Sequence, residues 1–296
     1  MVKKVILLII DSHIHIAHNN LFKKSQWSNS PIELQRQWLT EILREYKKKD
    51  VCALRDGGDG IFASCLAREI AKEEGIIYRT PIFAICKKGH YGSFLGRAVD
   101  GIEDFKREFH ILKENKLDHL KIILTGIVNF DKFGDVGSVA FSYDELEYMV
   151  KSAKEYGVPI MVHANGKQGV SQAIKVGVNT IEHGFLISDK EIYEMAEKEI
   201  VWVPTLSPLG NILKRNDSNF KDQMDTIRKV YTVQIQNIVK AYEMGVKIAL
   251  GSDAGAYAVP QVTGIFDEIN HFENIGFSKN AVLKMCLENG SSSLKL

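Results

Sequence analysis

The 296-residue chain lacks the features that mark several large classes of protein. Its four cysteines form no CxxC pair, which argues against a disulfide framework or a zinc knuckle and favours a reducing compartment. No apolar run approaches the length of a membrane span. Basic residues number 38 and acidic residues 37, so the chain has no basic excess for binding nucleic acid. We expect a cytoplasmic protein with a small-molecule substrate, and self-association into a homo-oligomer stays open.

The sequence also lacks internal repeats, linkers and low-complexity segments. The apolar run Val5–Ile10 is short for a leader peptide and runs into Asp11 and His13 without a small-residue cleavage site, so it reads as a buried strand. Hydrophobic residues make up 45% of the chain, enough to bury one large core. Residues 1–296 are therefore expected to form a single domain.

Short β-branched runs alternate with longer helical patterns. The predicted strands are Val5–Ile10, Val51–Leu54, Ile77–Cys86, Leu120–Leu124, Pro159–Val162, Thr180–Glu182, Ile200–Pro204 and Val246–Leu250. The predicted helices are Pro31–Lys48, Ile61–Glu74, Glu103–Glu114, Tyr143–Tyr156, Gln168–Val176, Asp189–Lys198, Asn219–Met244, Gly264–Glu273 and Lys279–Glu288, before a polar tail at Asn289–Leu296. Ser30 and Ser142 are the expected caps of the first and fourth helices. Strict alternation implies a parallel sheet, and eight repeats favour a closed (β/α)8 TIM barrel.

Ligand-type residues stand where several predicted strands end. His13 and His15 stand at the end of the first strand, where strand alternation points them the same way, and two such imidazoles can bind one metal ion. His163, His183 and Asp253 each follow a later apolar strand. Each of them alone would read as a capping or loop residue. Together they point to one metal site at the end of the barrel where enzymes with this fold have their active sites.

Lys121 lies inside the apolar strand Leu120–Leu124. A lysine that faced two divalent cations as an ammonium would be repelled by about 4 kcal/mol per unit-charge pair, at roughly 4 Å and an effective dielectric of about 20. The side chain therefore either points outward or is not a cation there. The outward orientation is the usual one for a lysine.

Other polar residues near the strand ends are assigned smaller roles. Arg55 and His90 follow the second and third strands and are candidates for binding a substrate carboxylate or carbonyl. Strand alternation predicts that Glu182 points away from His183, so it is left out of the site. The remaining histidines are interpreted as structural or surface residues: His18, His110, His119 and His271.

The ordered set resembles the amidohydrolase superfamily, in particular its binuclear members with a carboxylated lysine. The set consists of Asp11-x-His13-x-His15, Lys121, His163, His183 and Asp253. It is most similar to the imidazolonepropionase-like and Xaa-Pro dipeptidase-like branch. The local strings that support this are Leu54-Arg55-Asp56-Gly57-Gly58, Gly89-His90, Ile181-Glu182-His183-Gly184, Val203-Pro204-Thr205-Leu206 and Gly251-Ser252-Asp253-Ala254-Gly255. The resemblance covers roughly residues 5–290.

The resemblance implies two divalent metal ions, for which zinc suits the nitrogen and oxygen ligands. His13, His15 and Asp253 would hold one ion, and His163 with His183 the other. Lys121, carboxylated by CO2, would bridge both. A metal-bridging hydroxide would then attack an amide carbonyl, while Asp253 takes its proton and passes it to the leaving amine.

The sequence departs from this family pattern in two places. Relatives of this branch usually carry a small β-sandwich beside the barrel, and the barrel here uses nearly the whole chain. Asn165 stands where the branch often has a second histidine. Either the protein is a barrel without the flanking sandwich or the sequence is truncated, and the substrate contacts are left open.

Three alternatives to this function remain. A phosphoester or lactone hydrolase would use the same two-metal site. A mononuclear deaminase would have no need of Lys121. A metal-binding barrel without catalysis would have no reason to keep both Asp253 and an unpaired core lysine.

Overall fold

The computed structural model describes residues 8–295, in which the chain forms nine strands. They are β1 Ile9–Ile14, β2 Val51–Asp56, β3 Ile77–Arg79, β4 Ala84–Lys87, β5 Gly96–Val99, β6 Leu120–Ile123, β7 Ile160–Ala164, β8 Thr180–His183 and β9 Val201–Val203. Every strand pair is parallel, as strict alternation predicts. Of the first predicted strand, residues 5–7 lie outside the described part.

Helices separate most of these strands. They are α1 Lys24–Asn29, α2 Ile32–Lys48, α3 Ala63–Glu74, α4 Ile102–Glu114, α5 Tyr143–Tyr156, α6 Gly166–Val176, α7 Asp189–Glu197, α8 Ser207–Arg215, α9 Met224–Glu243, α10 Gly264–Ile275, α11 Lys279–Lys284 and α12 Gly290–Leu294. Within the described residues, no helix combines the length and apolarity needed to cross a membrane.

Apart from β5, the strands follow one another around a barrel in chain order. One sheet runs β1-β2-β3 and the other β5-β4-β6-β7-β8-β9. β3 and β4 are two parts of one predicted strand, interrupted at Ile82, whose φ of 69° breaks the extended backbone. Between β9 and β1 lies the segment 246–250, because Trp202 N–H donates to Lys247 O and Ser12 N–H donates to Leu250 O. Counting β3 with β4 as one position and the segment 246–250 as another, the chain is a (β/α)8 barrel with eight strand positions, as the sequence predicts.

Burial on both faces explains the composition of the strands. β6, β7 and β8 are buried at every position, which is the environment of a parallel sheet covered by helices. The helices turn one apolar stripe towards this sheet; in α5 the buried positions are Leu146, Met149, Val150 and Ala153. α5 has the predicted bounds, and Ser142 caps it by accepting from Glu145 N–H.

Several local predictions were wrong. Pro31, not Ser30, is the N-cap of α2, because Ser30 ends the unpredicted helix α1. The segment 205–218, between the predicted strand Ile200–Pro204 and the predicted helix Asn219–Met244, contains the unpredicted helix α8, whose start is fixed by Pro208. The polar tail contains α12. β5 was also not predicted, and residues 246–250 join β9 through a single bridge at Ile248 instead of a regular strand.

Candidate metal centre

A cavity of about 630 Å³ opens at the carboxyl ends of the barrel strands. Its wall includes every residue that the sequence suggested as a metal ligand: His13, His15, Lys121, His163, His183 and Asp253. These six side chains come from five different strand positions of the barrel. The fold therefore brings together groups that are up to 240 residues apart, from His13 to Asp253.

Three of these side chains form a compact set of donor atoms. The Nε2 atoms of His13 and His15 lie 3.3 Å apart. Asp253 Oδ1 lies 3.6 Å from the first and 3.5 Å from the second. The three donor atoms all fall within 4.8 Å of one another. Two imidazole nitrogens and one carboxylate oxygen at this spacing fit one divalent cation.

The backbone holds Asp253 against β1. Asp253 N–H donates to His13 O at 2.8 Å, and His15 N–H donates to Ala254 O at 2.7 Å. Gly251 makes this approach feasible, because a Cβ there would lie 2.8 Å from the Cβ of His13. Asp253 itself has a φ of 58°, a conformation uncommon for a residue with a side chain and often found at functional sites.

His163 and His183 lie beside this set. Their ring centroids are 4.5 Å apart, and the His183 ring is 5.0 Å from that of His13. His163 Nε2 donates to Gly126 O at 3.1 Å, and His183 Nδ1 lies 2.7 Å from Thr205 Oγ1. A hydrogen bond at one ring nitrogen fixes the tautomer and leaves the other nitrogen as a ligand. The two rings are therefore placed to serve a second cation.

Lys121 points into the barrel from β6. Its side chain is almost fully buried, and its Nζ has no hydrogen-bond partner within residues 8–295. Burial lowers the pKa of Lys121 to about 8. The outward orientation that is usual for a lysine is wrong here. A buried nitrogen without a hydrogen-bond partner costs free energy, which indicates that the native site supplies a further partner for this atom.

Burial also determines the charge state of the ring nitrogens. It lowers the pKa of His13, His15 and His183 well below the usual range, and that of His163 to about 3. The four rings are therefore neutral near pH 7, which is the form that binds metals. Burial raises the pKa of the Asp253 carboxyl to about 7. A donor set of neutral imidazoles around one carboxylate is well suited to a divalent cation.

Glu182, which the sequence argument left out, belongs to the site. His13 Nδ1 donates to Glu182 Oε2 at 2.6 Å, so His13 presents Nε2 to the ligand set. Strand alternation failed because His183 has a φ of 68°, outside the extended region. Glu182 points into the barrel as a regular strand residue, and the turn at His183 brings the next side chain to the cavity as well.

Arg55 lies inside β2 rather than after it. Its guanidinium donates to both Glu182 oxygens at 2.9 Å, to Ser12 O and to Thr180 Oγ1. It does not line the cavity, so its position does not fit the suggested contact with a substrate, and it binds the Glu182 carboxylate instead. A charged residue in each of two apolar strands was the signal that could have paired Arg55 with Glu182.

Two further residues also lie away from the cavity wall. His90 is exposed in the turn after β4 and does not line the cavity, contrary to its suggested role in substrate binding. Asp11 is buried beneath the site, where it accepts from Ser252 N–H and Ser252 Oγ. It holds the loop before Asp253 and is no part of the wall.

The cavity contains residues that sequence reasoning missed. His18, read as structural or surface, lines the wall, and so do Tyr91 and Phe94. Tyr91 directly follows His90, so the prediction found the correct loop but the wrong side chain. Asn165 donates to Gly126 O and accepts from Phe185 N–H, and thereby ties the loop after β7 to the loop after β8.

The chain is similar to known proteins along its whole described length. The model of the amidohydrolase family matches residues 8–296. Ochratoxinase from Aspergillus niger is 26% identical over 214 residues, which are 68% of this chain and 44% of that protein. Imidazolonepropionase from Streptococcus gordonii is 28% identical over 123 residues, 40% of this chain and 34% of that protein. The chain thus spans less than half the length of these curated relatives.

Solved structures of other proteins share the fold of this chain. A Xaa-Pro dipeptidase with methionine bound in its active site superposes with a TM-score of 0.78 and 25% identity, over 97% of this chain and 75% of that chain. The crystal structure of Aspergillus niger ochratoxinase gives a TM-score of 0.80 at 20% identity, over 96% of this chain and 70% of that chain.

Proposed function

Because the chain belongs to the amidohydrolase family, we propose that it is a metal-dependent hydrolase that cleaves an amide bond of a small molecule. The observation that carries the proposal is the convergence of four neutral histidines, Asp253 and an unpartnered lysine on one cavity. The similarity to proteins named ochratoxinase, Xaa-Pro dipeptidase and imidazolonepropionase supports C–N bond hydrolysis.

The donor atoms support a site for two divalent cations, most suitably zinc. His13, His15 and Asp253 would hold one ion, and His163 with His183 the other. Lys121, converted to a carbamate by CO2, would supply an oxygen to each and would no longer be a buried ammonium. When bound, the cations would supply an activated water near pH 7 and polarise the amide carbonyl.

The protein's own side chains would then position and move the proton. Asp253 is the carboxylate of the ligand set and the only one that lines the cavity among the described residues, so it would accept the proton of the attacking water. It would pass that proton to the amide nitrogen as the C–N bond breaks, which yields a carboxylic acid and an amine. Glu182, held by Arg55, would keep His13 in the tautomer that presents Nε2.

The compartment that we propose is the cytoplasm. Its support is the state of the four cysteines, all of which are free thiols in the structure.

Metal analysis and a substrate panel test this function. Protein purified without chelators should contain about two divalent ions per chain and hydrolyse amides. Asp253→Asn should lower kcat by about 10²–10⁴-fold, because an amide can still coordinate but cannot accept the proton. An active preparation with almost no metal would contradict metal dependence. Turnover confined to lactones or phosphotriesters would favour the alternative hydrolase.

A further inference from the structure

The cavity offers little charge to a substrate. Of the described residues that line it, Lys121 is the one lysine, none is an arginine, and Asp253 is the one carboxylate. Both belong to the ligand set. Lys23 and Lys24 line a separate cavity of about 310 Å³, whose wall shares His18 and Phe94 with the main cavity. A substrate carboxylate or ammonium would therefore lose its hydration in the main cavity without gaining an oppositely charged side chain outside the ligand set.

Two walls begin at the ligand set, one aromatic and one apolar. The first comes from the loops after β1 and β4, where the rings of His163, Tyr91, Phe94, His18 and His15 follow one another with centroids 5.4–6.0 Å apart. The second comes from the loops after β6 and β8 and from α8 with the segment that follows it. Its members are Val128, Phe185, Leu209, Ile212 and Phe220. It also begins at a ligand, because the Phe185 ring is stacked 6.4 Å from that of His183.

The depth of these walls suits sizeable groups. Phe185, Leu209 and Ile212 are buried in the cavity wall, whereas Phe94, Ile127 and Tyr257 leave apolar surface exposed at its rim. A substrate whose amide reaches the ligand set would touch one wall on each side. Apolar groups gain free energy from leaving water there, and an exposed apolar rim favours their entry.

We propose that the substrate is a neutral amide with an aromatic or large aliphatic group on both sides of the scissile bond, and without a free carboxylate or amine. This substrate class rests on the proposed amide hydrolysis. It differs from a dipeptide, whose two charged ends would find no counterion in the cavity apart from the ligand set itself.

A matched pair of amides tests the charge argument. N-phenethylbenzamide and N-benzoylphenylalanine differ only in the carboxylate of the second compound. The kcat/KM for the neutral amide should exceed that for the acid by about tenfold or more, as expected when a charge must be buried without a partner. Equal rates, or a preference for the acid, would overturn the proposal.

Variants locate the effect in the cavity. Leu209→Ala should lower kcat/KM for N-phenethylbenzamide by about tenfold, because it removes part of the second wall. Ile127→Arg adds a cation at the rim and should shift the preference towards N-benzoylphenylalanine. Tyr193→Ala removes an aromatic ring that is 55% exposed on α7, outside the cavity, and should change neither value. No effect of Leu209→Ala and Ile127→Arg would refute this use of the walls.

A binding measurement separates this inference from the proposed function. Ketone analogues of both compounds, with a methylene in place of the amide nitrogen, are titrated calorimetrically into the full chain as purified. Tighter binding of the neutral ketone without any amide turnover would contradict the proposed function and support only the preference of the cavity for an uncharged ligand. Amide turnover with tighter binding of the acidic ketone would support the proposed function and overturn the substrate class.

Discussion

Glu182 Oε2 lies 2.6 Å from His13 Nδ1, and both side chains are completely buried. The carboxylate also accepts two hydrogen bonds from Arg55 and one from Thr180 Oγ1. Since the His13 ring is held on one nitrogen, its other nitrogen is aimed at His15 and Asp253. The ligand set is thus built on a buried ion pair beneath it.

Glu182→Gln should weaken metal binding by about 10–100-fold, the usual effect of losing the partner of a ligating histidine. The amide can still accept one hydrogen bond but no longer carries the charge that holds Arg55 and His13. Competition with a chelator of known affinity measures the change. Glu199→Gln, which alters a largely exposed carboxylate paired with Lys247, is the matched control. Unchanged affinity in a folded Glu182→Gln protein would show that His13 does not depend on this contact.

Gly57→Ala should also reduce metal content, for a steric reason. A Cβ at position 57 would overlap the ring of His15, whereas a Cβ at Gly60 would have no heavy atom nearer than 3.6 Å. The His15 ring must therefore rotate or shift in the first variant, and Gly60→Ala serves as its control. Elemental analysis of both proteins checks the prediction. Full metal content in Gly57→Ala would mean that His15 is not a required ligand.

The sequence predicted which side chains meet at the cavity where each residue followed a simple strand. His13, His15, His163 and Asp253 stand at or just beyond the ends of apolar runs, and the barrel brings such positions to one face. Glu182 was missed because the positive φ of His183 cannot be read from residue types. The tertiary contacts of Arg55 with groups 43 to 238 residues away were equally invisible to local periodicity.

Glu268 should make folding stability depend on pH. It accepts hydrogen bonds from Leu206 N–H, Ser207 N–H and Ser207 Oγ at the start of α8, yet burial outweighs these donors and raises its pKa from 4.5 to about 8. The folded state therefore binds this proton more tightly than the unfolded state does. The contribution of Glu268 is fully present below pH 4.5 and is lost as the pH rises through about 8, with a slope of at most about 1.4 kcal/mol per pH unit.

Glu268→Gln removes this titration. Urea unfolding at several pH values should therefore give a free energy of unfolding that falls less steeply with pH in the variant than in the wild type. Glu243→Gln, on an exposed position of α9, should follow the wild-type curve. A wild-type stability that rises relative to Glu268→Gln over the same range would show that the three donors outweigh burial.

Lys121 offers the sharpest test of the metal site, because its buried Nζ has no partner in the described part of the chain and lines the same cavity as five ligand-type side chains. An ammonium there would face two cations, whereas a carbamate would give each of them an oxygen. Lys121→Ala should therefore lose much of its metal, and nearly all of its activity. Short carboxylates such as acetate should restore part of both by occupying the bridging position.

Incubation of the wild type with ¹³C-labelled CO2 should give a carbamate signal in carbon NMR that Lys121→Ala lacks, a readout independent of turnover. Lys24→Ala, outside the main cavity, is the control and should keep the signal. A Lys121→Ala protein with two metals and full turnover would disprove the carbamate, and Lys121 would then be a neutral amine buried in the barrel.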